Sequence, residues 1–541
     1  MKFLYKLTLL LICLFILNHK SFTQDNINRE DNSLTYRIIK AYEDGKIDHA
    51  TMVQNRIYAI TDLSKVDPQF ITSAPIIEKC ATTNVKNLKE EVQNLSKTGG
   101  ISGDVTNGFL SILARGTTQK YFVSPSGKFR IQYDTSGTNA VYQPTVDINP
   151  ADGVPDYVNR TAEIFDYCYK MEVDTLGYTP PPPDGTSGGG TNEYDIYMIH
   201  YSGAYGVTFT DGTVSGYGTP ARTAYKSYIY VDPNYDGFGY TDRTLPMKVT
   251  AAHEYFHAIQ FAYNVNAGNW FMEISSTWME DIVYDAINDY RYYLSGFFNY
   301  PYYGLDKFNG LHEYASCIFG HYVSENYGNN RMKRIWDLTV NTGSNAAMNA
   351  INTAMVEVGT TRSEAVAGIT VWNYLTGSRA NGSLPTYSEA AYFPQISIAG
   401  TYTTYPVSAT SASNLEHLAA HYYQFSPVAS PSNLRLGFSQ ISSSQWKGKV
   451  VVDSSNRFKS YDVDLSTGAG SSDFLKFNNK TKAIFIPSNV ATMGSSLTYN
   501  YTGDVLLLPI VFTPNGSENY FIDSVYNIFW GSTGITNIKI E

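Results

Sequence analysis

The sequence predicts an α+β chain: a region mixing helices and strands, about residues 104–385, followed by an all-β region, 386–541. Three observations carry this. Apolar runs of strand length (Phe129–Tyr133, Tyr194–Ile199, Ser227–Val231) are interspersed with long helical stretches in the first region. From about 386 onward Ser, Thr, Asn and Gly rise and short alternating strands recur, as at Lys449–Asp453 and Ala483–Pro487, which suggests a β-sandwich. The length of 541 residues allows two or three domains of ordinary size.

Composition narrows the function classes. With 43% hydrophobic residues and 14% aromatics, 45 of them Tyr, most of the chain must pack, which excludes disorder. Against 49 Asp+Glu there are 39 Lys+Arg, a formal charge of −10, and no basic block is long enough to track a phosphate backbone. Nucleic acid is therefore excluded as a partner.

In chain order, Lys2 and Lys6 flank an apolar run, Leu7 to Leu17, and small residues at Ser21 and Thr23 follow. That order is a secretory signal peptide over residues 1–23, with an apolar run too short to span a bilayer, and no later segment reads as a membrane span. The expected location is secreted, extracellular or periplasmic. Residues 24–103 are comparatively polar, with helical stretches at Leu34–Tyr42 and Asn87–Leu95 and a linker at Gly99–Gly103. They have the place of a prosegment or a docking extension. Past the leader remain Cys80, Cys168 and Cys317, which allow one disulfide at most; Cys168 and Cys317 sit in helical patterns as small buried hydrophobes. Pro180–Pro183 and Gly188–Gly190 mark an exposed loop.

The chemistry gathers after Leu245. Pro246 suits the first turn of a helix, and Ala252, Phe256 and Ile259 continue its periodicity. On it His253 and His257 lie four residues apart, about 6 Å along the axis, and project from one face. Two imidazoles so placed can ligate one metal ion, while Glu254, offset by one residue, leans toward a water beside it. A second helical segment, residues 269–281, carries Glu273 and Glu280 on nearly one face but about 10 Å apart along the axis, so both cannot bind one ion.

His253-Glu254-x-x-His257 with Trp270-x-x-Glu273-x-x-Ser276 resembles the gluzincins, zinc metallopeptidases whose third ligand is a Glu on the following helix; many have Ala where Ser276 stands. Ala252–Gln260 with Glu273-x-x-x-x-Trp278-Met279-Glu280-Asp281 looks like a group of secreted bacterial metalloproteases. The likeness covers about residues 145–330. It implies a zincin-like domain with its active-site helix packed on a small sheet, zinc held by His253, His257 and Glu273, and Glu254 as general base for peptide-bond hydrolysis. Glu280 and Asp281 become candidates for orienting a zinc-bound imidazole. A helix expected over Leu311–Tyr327, closing on Gly328, would supply an oxyanion donor: Tyr314 first, His321 second, His312 third. The strand Tyr225–Val231 would border the cleft and pair with substrate backbone.

Elsewhere, Asp147, Asn149, Asp152 and Asp156 around Gly153 offer oxygen ligands that suit calcium, and equally the ordinary chemistry of a turn. The expected partner is a protein or peptide substrate. Two rivals stand beside the peptidase: a secreted adhesin or carbohydrate-binding protein with a vestigial metal site, and a zinc hydrolase of non-peptide bonds.

Overall fold

Four capped helices come first among the described residues: α1 (Leu34–Glu43), α2 (His49–Thr61), α3 (Thr82–Thr98) and α4 (Gly103–Ser111). Ser33, Asp48 and Ser102 accept the first free N–H groups of α1, α2 and α4, and α3 stops on Gly99 at φ 72°. The computed structural model describes residues 33–507 except 74–75, 191, 202, 345, 441–444 and 495, so the expected signal peptide, 1–23, lies outside the described residues. No described helix is long and apolar enough to cross a membrane.

A five-stranded sheet follows, β1 (Lys120–Val123), β2 (Phe129–Tyr133), β3 (Tyr194–Met198), β4 (Gly206–Tyr217) and β5 (Arg222–Val231), in the order β1-β2-β3-β5-β4. The pairs β2–β3 and β3–β5 are parallel, and β4 folds back antiparallel on β5. Both faces of β3 are buried, because alternate residues serve two layers. Tyr197 joins Tyr201, Val207, Phe209 and Tyr228 against Ile38, Val53, Leu88 and Phe109 of the N-terminal helices. On the other face, Tyr194 and Phe129 meet Phe165 and Tyr255 of two helices, α5 (Asp156–Tyr169) and α6 (Thr244–Tyr263). The hairpin corrects one expectation: Tyr225–Val231 is interior, flanked by β3 and β4, and the edge strand on that side is β4.

After α6 the chain turns at Gly268, φ 126°, into α7 (Asn269–Tyr284). The expected helix over Leu311–Tyr327 is broken. A single turn, His312–Ala315, precedes α8 (Ile318–Tyr327), because Cys317 and Phe319 bond three residues back rather than four. Then come α9 (Asn329–Thr339), α10 (Ala346–Val356) and α11 (Arg362–Tyr374). Residues through Ser397, with 416–420 and 488–495, form one unit that includes the N-terminal helices. Its end falls beyond the composition change at 386, since Phe393 packs on Tyr387 and Ser397 donates to the Phe298 carbonyl.

The second unit is all-β. Its strands are β6 (Gly400–Tyr402), β7 (Val407–Thr410), β9 (Tyr423–Phe425), β10 (Ser432–Ser439), β11 (Trp446–Asp453), β12 (Phe458–Val463), β13 (Ala469–Phe474), β14 (Lys482–Asn489) and β15 (Asn500–Leu507); the last two residues of β14 count with the first unit, where the short β8 (Ala419–Ala420) pairs with them. One sheet runs β13-β10-β15-β7 and another β12-β11-β14-β9-β6, and Tyr423 stacks on Tyr501 at 4.1 Å between them.

Candidate metal centre

Helix α6 presents both imidazoles to α7, and what lies behind each ring decides where its other nitrogen points. Gln260 Nε2 donates to the Met272 carbonyl at 3.0 Å, an atom that can only accept, so Gln260 Oε1 is turned to His257 Nδ1 at 2.8 Å. Ser276 accepts from the same amide at 2.9 Å and lies 3.3 Å from His257 Nδ1. Behind the other ring, Glu280 Oε1 is 2.7 Å from His253 Nδ1. Each Nδ1 is thus held by an outward acceptor and each Nε2 faces inward, the arrangement that fixes an imidazole as a ligand.

The inward atoms converge. His253 Nε2 and His257 Nε2 are 3.1 Å apart, and Glu273 Oε2 lies 3.1 Å from the first and 3.5 Å from the second. A fourth donor comes from the N-terminal region: Cys80 Sγ is 3.5 Å from His257 Nε2. Cys80, His253, His257 and Glu273 are all buried, with donor atoms within 4.8 Å of one another, and among the described residues they are the group able to hold a metal ion. A tetrahedral zinc with its usual bond lengths would set its donors about 3.3–3.7 Å apart; the separations among His253, His257 and Glu273, 3.1–3.5 Å, lie close to that spacing, while the full set with Cys80 spreads to within 4.8 Å. Glu273 stands in the cluster and Glu280 behind it.

Glu254 stands beside the cluster. Thr208 and Thr82 donate to its Oε2 at 2.7 and 2.8 Å, whereas Oε1 is buried without a partner. Gly206 lets β4 come this close to α6, since a Cβ there would meet Thr250 Cγ2 at 2.7 Å and Glu254 Cγ at 2.8 Å. The Tyr314 hydroxyl donates to the Cys80 carbonyl at 3.0 Å, with its ring 6.4 Å from that of His253.

Charge is unbalanced here. Burial works against protonation of His253, yet Glu273 and Glu280 outweigh it and raise its pKa to about 9. Burial would raise Glu273, but His257 and His253 hold it well below the usual carboxylate range. Burial, then the Glu254 and Glu273 carboxylates, push the Cys80 thiol far up. The buried Lys79 ammonium stands against Glu280 at 2.7 Å, and a cation bound among the donors would invert the preference of the thiol.

Other candidates lie apart. His312 Nδ1 faces the Gly296 carbonyl at 2.8 Å, and its ring stacks on Phe297. His321 stacks on Tyr290 and faces Asp281 across 3.9 Å, so neither it nor Asp281 joins the cluster. In the acidic loop, Asp147 accepts from the Asp152 and Gly153 amides, Asp156 from those of Ile148 and Asn149, and Asp152 from Val154 and Asn159. Its carboxylates serve the turn. Cys80, Thr82 and Thr83 had no signal in the sequence, since a solitary Cys in a polar segment has no spacing to read.

No known protein-family model matches the chain, and no curated protein matches it.

Proposed function

We propose that the chain is an exported zinc-dependent endopeptidase of the gluzincin arrangement, with His253, His257 and Glu273 as ligands. The observation that carries this reading is the pair of inward Nε2 atoms converging with a Glu from the next helix, next to a buried Glu254 with one oxygen free. Bound zinc would supply Lewis acidity toward a peptide carbonyl. Glu254 is the proton carrier: Thr208 holds Oε2, so Oε1 is the atom that takes the proton and passes it to the leaving amine. Tyr314 already donates to a main-chain carbonyl, the contact an oxyanion stabiliser needs. The first residues, with their charged, apolar and small order, support action outside the cytoplasm.

A second reading draws on Cys80. Four protein donors around one ion are also the pattern of a structural zinc. Metal analysis with a peptide-library digest, on the full chain and on trypsin-treated chain, separates the two. The peptidase contains one zinc and cleaves, and Glu254→Gln keeps the zinc and stops cleaving. Zinc without cleavage in either form favours the structural ion.

A further inference from the structure

Cys80 does not reach the cluster in isolation. Residues 78–83 run beside the start of β4: the Glu78 N–H donates to the Gly203 carbonyl at 3.0 Å, Tyr205 returns a bond to the Glu78 carbonyl at 2.9 Å, and Ala81 donates to Gly206 at 3.1 Å. Lys79 is buried between Asp289 and Glu280, the latter at 2.7 Å, with the Tyr205 and Tyr293 rings beside it. The Cys80 carbonyl takes the Tyr314 hydrogen bond while its thiol faces the ligands. Thr82 then donates to Glu254 and Thr83 to Glu273. One short stretch therefore engages the β4 edge of the sheet, a ligand histidine, a ligand carboxylate, the proton carrier and the carbonyl donor, and it leaves Glu254 Oε1 buried and unpartnered.

We propose that residues 78–83 are a built-in inhibitor lying in the substrate groove, with the Cys80 thiolate as fourth ligand of the ion and Lys79 as anchor. The inference rests on the peptidase reading. The segment is tethered through α3, so its local concentration is on the order of millimolar, and a free-peptide affinity of only about 10 μM would keep the groove filled about 99% of the time. Release is hydrolysis of a backbone bond by a second endopeptidase molecule, one water yielding a carboxylate and an amine. The exposed turn around Gly99–Ser102 is the accessible place for it.

Cobalt substitution of the full chain tests the ligand, and trypsin digestion through residues 33–98, then quenched, tests the inhibition. Cys168 faces Tyr284, and Cys317 faces the Ala315 carbonyl. A near-ultraviolet thiolate-to-cobalt band therefore reports Cys80. We expect the band in the intact chain, its loss in Cys80→Ser with cobalt retained, and peptide hydrolysis about 100-fold faster after digestion. Bound cobalt without the band overturns the inhibitor, as does loss of cobalt in Cys80→Ser, which makes the thiol a structural ligand. Equal hydrolysis before and after digestion overturns it too while leaving the peptidase intact. A digested chain that holds cobalt, has lost the band and cleaves nothing overturns the peptidase reading instead.

Discussion

Two pairs of histidines in the first unit are equally buried and differ in everything else. His253 and His257 are 1% and 0% exposed, His312 and His321 1% and 4%. In the first pair each Nδ1 has a side-chain acceptor and each Nε2 meets another donor atom of the cluster. In the second pair the rings lie on Phe297 and Tyr290, and both Nε2 atoms lack a hydrogen-bond partner. Burial, with further Coulombic contributions, lowers His312 and His321 to about 4, whereas two carboxylates raise His253 to about 9 despite the same burial. An acceptor behind the ring does not by itself separate the pairs, since His312 has one in the Gly296 carbonyl; the difference is that the Nε2 atoms of His253 and His257 converge on other donor atoms.

That contrast is easiest to break at the ligands. His253→Ala, His257→Ala and Glu273→Ala should each lose stoichiometric zinc, read by metal analysis, while Glu280→Ala keeps it at saturation with affinity about 10–100-fold weaker. The opposite result, an empty Glu280→Ala and a loaded Glu273→Ala, would exchange their roles. Next in size, Glu254→Gln in the trypsin-treated chain should lower turnover at least ~100-fold with zinc content and thermal unfolding unchanged. Tyr314→Phe should cost on the order of 100-fold in kcat and leave metal affinity alone. His321→Phe, which preserves the stack on Tyr290, should alter neither by more than about twofold; a large loss of activity there would end the comparison.

The smallest effect sharpens it. In the metal-free chain, imidazole NMR should show His312 neutral down to about pH 4 and His253 protonated up to about pH 9. For His312 the unfolded state takes the proton first. Its contribution is therefore whole above its ordinary pKa of 6.5 and declines toward pH 4, by about 1.4 kcal/mol per pH unit.

Legibility followed the range of the interactions. The spacing of His253 and His257 is helical geometry, readable within a few residues, and the α+β class followed from periodicity. Glu273 and Glu280 share a face, so spacing alone left them competing, and only the crossing of α6 and α7 puts one in the cluster and the other behind His253. Cys80 lies 177 positions from His257, and nothing local marks it. Tyr314 is one of 45 tyrosines. The edge position of β4 depends on strand order, which a run of alternating residues does not encode, and the break at Cys317 on bonds that apolar periodicity does not register.

The N-terminal helices also cover one face of the central sheet, where Tyr197, Tyr201, Tyr228 and Tyr230 lie with Phe209. Were those helices digested away, the uncovered surface would be tyrosine for the most part. A tyrosine ring carries its own hydroxyl, so such a face can be wetted as well as packed. An oily layer of leucine and isoleucine there would glue copies of the shortened chain together. Such a face is compatible with the release of the helices proposed above.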